Sequence, residues 1–260
     1  MTVLAIANQK GGVGKTTTAI NLATGLAASG RDVLLIDLDP QGNSSTGVGV
    51  GQTARTRTSY DLLIENDPLS ACIQETEVEG LDVVPATVDL SGAEVELVDV
   101  ERRMHCLTDA LASEHQYDFI IIDCPPSLGL LTLNALVAAE ALVVPLQCEF
   151  YALEGLSQLL KTVERVRAGF NPQLSILGVV LTMYDRRNNL SEQVAADARA
   201  CLGKTVFTTS IPRNVRLSEA PSHGLPALVY DHRCPGSAAY IALAQEVLSR
   251  TGAPPPRMAA

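Results

Sequence analysis

A chain of 260 residues, 47% apolar and 18% charged, can bury a sizeable core and reads as one globular domain rather than a repeat or low-complexity array. No apolar run is long enough to span a bilayer, and Met1 leads straight into the apolar VLAIA, so the expectation is a cytoplasmic protein with no leader. The formal net charge of -10 argues against a polyanionic partner only on average, because Tyr60 to Leu160 holds 19 acidic and 2 basic residues while Lys161 to Arg233 holds 6 acidic and 10 basic, and only the local field matters to a nearby polyanion.

Short apolar runs alternate with segments of helical period. VLAIAN (3–8) predicts a strand, Lys15 to Ser29 a helix, and VLLID (33–37) a second strand. A helix is predicted over Ser91 to Ala112, then strands FIIIDCP (119–125) and ALVVPL (141–146), a helix over Leu153 to Arg167 and the strand ILGVVLTM (176–183). Helices over Ser191 to Cys201 and Ser237 to Thr251 complete a domain spanning 1–251, and the proline-rich 252–260 is expected to be a disordered tail. Strands apolar on both faces and separated by helices predict an α/β fold, a mostly parallel twisted sheet with helices on both faces. Such sheets bind ligands at the carboxyl ends of their strands.

Between the first strand and the first helix lies KGGVGKTT, Lys10 to Thr17. Strand, glycine-rich loop, Lys-Thr and helix start, in that order, predict a phosphate-binding loop. Glycines let backbone N–H groups approach phosphate oxygens closely, and the helix amino terminus adds partial positive charge. Lys15 then reaches the terminal phosphates and the Thr16 hydroxyl holds Mg²⁺. One lysine suffices for such a loop, yet Lys10 supplies a second.

Lys10 ahead of GGVGKTT resembles the deviant Walker A loop of the ParA/MinD ATPases. The blocks DLDPQGN (37–43), IIIDCPPSLGLLTLNAL (120–136), QCEFYALEGLSQLL (147–160) and IPRNVRLSEAPSHG (211–224) extend the likeness to the chromosomal ParA (Soj) branch. The resemblance implies a P-loop NTPase fold that binds ATP and Mg²⁺ and hydrolyses ATP slowly. It implies that two subunits sandwich two ATP molecules, Lys10 serving the partner's nucleotide and Lys15 its own. A cation delivered across a partly dried interface would offset triphosphate charge. By the same resemblance Gly11, Gly12, Val13, Gly14, Thr16 and Thr17 wrap the phosphates, and Pro212 and Asn214 line the adenine pocket. Asp39 orients the attacking water, Asp123 closes a Walker B strand and binds Mg²⁺ through its water shell, and Asp37 sits nearer the metal shell. Asp37 also reads as a turn residue, since Pro40 and Gly42 follow closely.

LTMYDRRNNL and IPRNVRLSEAP carry arginines at positions that the Soj branch uses for sequence-independent binding of double-stranded DNA: Arg187, Arg213 and Arg216, with Arg186 as a further candidate. The family likeness also implies an ATP-dependent homodimer on the nucleoid and a ParB-type centromere-binding partner with a basic amino-terminal peptide. A MinD-like membrane-associated ATPase is the alternative. It requires a basic amphipathic carboxyl-terminal helix, and SAAYIALAQEVLSR holds one basic residue, so its apolar side chains are expected to pack on the sheet. A cluster-bearing reductase is disfavoured, because the six cysteines are dispersed and Cys124 is followed by Pro125 and Pro126.

Overall fold

The computed structural model describes residues 1–253 apart from 113, 115 and 151. Its strands are β1 Thr2–Ile6, β2 Val33–Asp37, β3 Gln74–Glu75, β4 Leu81–Val84, β5 Phe119–Asp123, β6 Ala141–Gln147, β7 Ser175–Tyr184 and β8 Val206–Pro212. They form one sheet in the order β3-β4-β2-β5-β1-β6-β7-β8. All neighbours run parallel except the short edge strand β3. The expected mostly parallel sheet is therefore present.

Alternation along the strands feeds two cores. Ala5, Ile36, Ile120 and Ile122 point to the face covered by helices Leu130–Ala138, Ala152–Gly169 and Asn189–Leu202. Leu4, Ile6, Leu35 and Ile121 point to the face covered by helices Lys15–Ala27 and Pro235–Thr251. Ile6 of β1 and Asp37 of β2 both stand in register with Asp123 of β5. That register brings the first glycine loop and the two strand-end carboxylates to the same edge of the sheet.

The helix predicted over Ser91 to Ala112 is broken. The structure has a helix over Leu90–Glu96, a 3-10 turn over Leu97–Asp99 and a second helix over Cys106–Leu111. Leu90, Ala93 and Leu97 are buried, but the next positions on that face fall among Glu101, Arg102 and Arg103, which cannot enter the core. The chain turns out at Arg102 (φ 61°) and is tethered again by Asn134, whose amide donates to the Arg103 carbonyl and whose oxygen accepts from the Leu107 N–H. Strands β3, β4 and β8 and the Leu130–Ala138 helix were not among the predicted elements. LDVV is short, VFTTSIP is an edge strand with polar positions, and LLTLNALVA is so uniformly apolar that it carries no helical period. Of the expected tail, residues 254–260 lie outside the described residues.

Candidate nucleotide site and basic face

The loop after β1 is held from both sides. Asn8 donates to the Pro145 carbonyl at 2.7 Å and accepts from the Lys10 N–H at 3.1 Å, while Thr182 of β7 donates to the Val13 carbonyl at 2.9 Å. Gly12 and Gly14 have φ of 73° and 87°, a region that costs any other residue steric strain. A Cβ on Gly11 or Gly12 would meet nothing within 4 Å, so the backbone there faces an open cradle. The Lys15–Ala27 helix starts directly behind it with no side-chain cap, leaving its first-turn N–H groups for an anion.

Lys15 is 7% exposed, and its Nζ donates to the Lys10 carbonyl at 3.2 Å. Burial pulls its pKa down, and the charges of Asp123 and Asp39 oppose that shift. Those effects place Lys15 at the meeting point of the loop and the strand-end carboxylates. Asp123 is fully buried; Ser44 Oγ donates to its Oδ2 at 2.6 Å, and the Thr16 hydroxyl favours its charged form. Its Oδ1 is buried with no hydrogen-bond partner. Burial first, then the charge of Asp37, pushes the Asp123 carboxyl up. An orphaned carboxylate oxygen beside a threonine hydroxyl suits a hard cation that keeps its waters and needs only one or two carboxylates.

Asp37 is placed differently. Its Oδ2 accepts from the Ser45 N–H (2.9 Å) and Oγ (2.7 Å), and its Oδ1 accepts from the Asp39 N–H (3.1 Å). Both oxygens thus tie the end of β2 to the following turn, although burial still pushes the carboxyl up. Asp39, 8% exposed, has one oxygen accepting from the Gln41 N–H at 3.0 Å. Sequence reading missed Arg55, which is buried and donates to the carbonyls of Val50 and Ala86 and to Thr46 Oγ1. Its charge also acts on Asp37, so it pins this turn and offsets the buried negative charge. No periodicity marks such a residue.

Lys10 does not enter its own site. Its Nζ pairs with Glu149 Oε2 at 2.8 Å, with side-chain exposures of 36% and 46%, and Gln147 donates to the other Glu149 oxygen. Pro212 and Asn214 line a pocket of about 130 Å³ with Gly14, Thr17, Met183 and Tyr240, immediately behind the glycine loop. Asn214 also caps the Val215–Glu219 helix by accepting from the Arg216 N–H.

Arg186, Arg187, Arg199 and Arg213 line one cavity of about 660 Å³ beside β8. Arg187 is 90% exposed and forks onto Asp185 through Nε (3.0 Å) and Nη2 (2.9 Å), holding that carboxyl down at about 2. Arg216 lies apart from this cavity, paired with Glu219 at 2.9 Å and Asp231 at 3.5 Å and set 5.9 Å over the Tyr230 ring. Arg199, a member of the cavity through its bond to Ser210, was not a predicted site residue.

The AAA domain family matches residues 1–176. The chromosome partitioning protein ParA of Caulobacter vibrioides is 62% identical over 95% of this chain and 94% of its own length. The sporulation initiation inhibitor protein Soj of Bacillus subtilis is 53% identical over 94% of this chain and 97% of its own. This chain belongs to the ParA/Soj family. The solved structure of cobyrinic acid a,c-diamide synthase from Mycobacterium smegmatis, with bound ATP analogue and magnesium, has the same fold at a TM-score of 0.85 and 38% identity, over 97% of this chain and 96% of that one.

Within this ParA-family chain, Gly11 to Thr17, Asp37, Asp39 and Asp123 converge on one strand-end edge. Among the described residues no helix is long and apolar enough to cross a membrane. The Pro235–Thr251 helix turns Tyr240, Leu243, Ala244 and Val247 into the core, which leaves that apolar face engaged.

Proposed function

We propose that this chain is a chromosome-partitioning ATPase that binds ATP and Mg²⁺, dimerises on them and then binds DNA without sequence preference. The observation that carries the reading is the open glycine cradle beside Lys15, Thr16 and the orphaned Asp123 Oδ1. Mg²⁺ would neutralise phosphate charge there, with Thr16 and Asp123 as its protein partners. Lys15 holds the terminal phosphates, the first-turn N–H groups cradle them, and Pro212 and Asn214 flank the base. Asp39 orients the attacking water. Asp37 acts here as a positioning residue for that turn, since both its oxygens are engaged.

Lys10 serves the nucleotide of a second copy. Its half-exposed tether to Glu149 keeps it ready to swing outward at little cost. Arg187, Arg213 and Arg216, with Arg186 beside them, contact DNA phosphates, and pairing two chains doubles this face and raises its effective concentration. A ParB-type partner stimulates slow turnover and returns the chain to the monomer; the site of action is the cytoplasmic nucleoid. The domain spans 1–251. The membrane-positioning alternative is weaker, because the apolar side of the last helix is spent on the core.

The test is sedimentation velocity with ATP and Mg²⁺ in an Asp39→Ala background, with and without random-sequence DNA. The reading expects dimers with nucleotide, co-sedimentation with DNA in 50 mM salt and loss of both in Lys10→Ala. A chain that stays monomeric at saturating nucleotide overturns it.

A further inference from the structure

Val88, Val95 and Val98 are 71%, 74% and 50% exposed. Turns closing from Thr87, Val88 and Asp89 onto Leu90, Ser91 and Gly92 lead into the Leu90–Glu96 helix and the Leu97–Asp99 turn. The three valines thus fall seven and three residues apart on the outer side, while Leu90, Ala93 and Leu97 fill the inner side. Three exposed β-branched residues aligned on one side of this turn, helix and 3-10 segment form an apolar stripe of the kind that marks an interaction site.

The surroundings decide what covers this stripe. Glu65, Asp89 and Glu96 gather around Tyr60, whose hydroxyl donates to Glu96 at 2.9 Å, and Asp99 follows Val98. Among the described residues none of these four carboxylates forms an ion pair with a lysine or arginine. Arg103 Nη1 donates to the Val98 carbonyl at 2.6 Å, so a single cation stands at the stripe against these four carboxylates, and a second copy meeting this face about a two-fold axis would still set net negative charge against its like. DNA and anionic lipid are repelled for the same reason. A basic segment with aliphatic side chains at helical spacing satisfies both the valines and the carboxylates.

The stripe is wired to the nucleotide edge. Glu94, on the same helix, accepts from the Leu130 N–H at 2.8 Å and the Leu131 N–H at 3.4 Å, so it caps the Leu130–Ala138 helix that follows the loop after Asp123. A Cβ at Gly129 would collide with that carboxylate, which makes glycine the residue that admits this contact. Glu94 therefore links the Leu90–Glu96 helix to the chain that leads away from the Asp123 carboxylate.

We propose that the Val88, Val95 and Val98 stripe with its carboxylate rim is the docking face for a basic amphipathic segment of the partner protein, acting on the nucleotide edge through Glu94. The proposal rests on the reading of a partner-stimulated ATPase. Its test has two arms, both on the full chain with ATP and Mg²⁺. In the first, a fluorescent 18-residue peptide with leucines on one helical face and lysines on the other is titrated by anisotropy, against a scrambled peptide of equal composition. The expected result is salt-sensitive binding of the ordered peptide, weakened about tenfold or more in Val95→Ser/Val98→Ser and in Glu65→Lys/Asp99→Lys. Equal binding of the scrambled peptide, no binding at all, or unchanged binding in either variant overturns the proposal. In the second, a ParB-type protein is assayed for stimulation of turnover. If wild type is not stimulated, the partner reading itself fails; stimulation that persists undiminished in Val95→Ser/Val98→Ser refutes this face alone. A shift of the monomer–dimer equilibrium in that variant with peptide binding intact assigns the stripe to a second copy and also overturns the proposal.

Discussion

Glu149→Gln tests whether Lys10 is held back in the free chain and released on pairing. The ion pair is 2.8 Å long and both side chains are more than a third exposed, which puts its net worth in the range of about 0.2–1 kcal/mol. If Lys10 must leave Glu149 to reach the nucleotide of a second copy, that cost is incurred twice per dimer. Removing it shifts dimerisation by about 0.4–2 kcal/mol, a tightening of about 2-fold to 30-fold in the dimer dissociation constant. The fold has little stake in so exposed a pair, so the melting temperature should stay within a degree or two of wild type. The assay is sedimentation velocity across a concentration series with ATP and Mg²⁺ in the Asp39→Ala background, and raising salt should shrink the difference between the two proteins as screening weakens the pair. A dimer constant that is unchanged or looser in Glu149→Gln would refute the reasoning, since Glu149 would then be a bystander or a contributor to the dimer.

Gly14→Ala places a side chain at φ 87°; the strain of about 1–2 kcal/mol falls on the cradle itself, and equilibrium binding of a fluorescent ATP analogue should drop about tenfold or more. Arg55→Met leaves the Ala86 and Val50 carbonyls without their donor and Asp37 without a nearby cation, which should cost about 2–4 kcal/mol in urea unfolding at constant m-value. Asp185→Asn releases Arg187 from its fork and should tighten binding to random-sequence DNA about 2-fold to 5-fold at low salt. Because Asp185 is held down at about 2, it stays ionised throughout pH 5 to 8, and wild-type DNA affinity should show no step from this pair across that range.

Much of the architecture is visible in the sequence because its strands are covered on both faces. VLLID and FIIID are apolar along nearly their whole length, and both became buried strands. Where a segment is half-exposed or short, the pattern fails, as with β4 and β8. The segment after Leu90 misleads for a different reason: its inward-facing apolar residues keep helical spacing through Leu97, and only the loss of such a residue at Glu101 to Arg103 marks the break.

The strand-end carboxylates set the limit of motif reading most clearly. Asp37 and Asp123 close equivalent apolar strands and stand in register with each other, so nothing in their flanks separates their chemistry. The difference comes from what the following turns supply. Ser45 offers Asp37 both an N–H and a hydroxyl, and the Asp39 N–H takes the remaining oxygen, whereas Ser44 satisfies a single oxygen of Asp123. Two adjacent serines on one short helix therefore set different surroundings for the two carboxylates: Ser45, with the Asp39 N–H, engages both oxygens of the first, and Ser44 leaves the second with a buried, unpartnered oxygen beside the Thr16 hydroxyl. A buried oxygen without a donor is costly unless a cation or its water completes it, and the open glycine cradle alongside is where such a cation would meet phosphate.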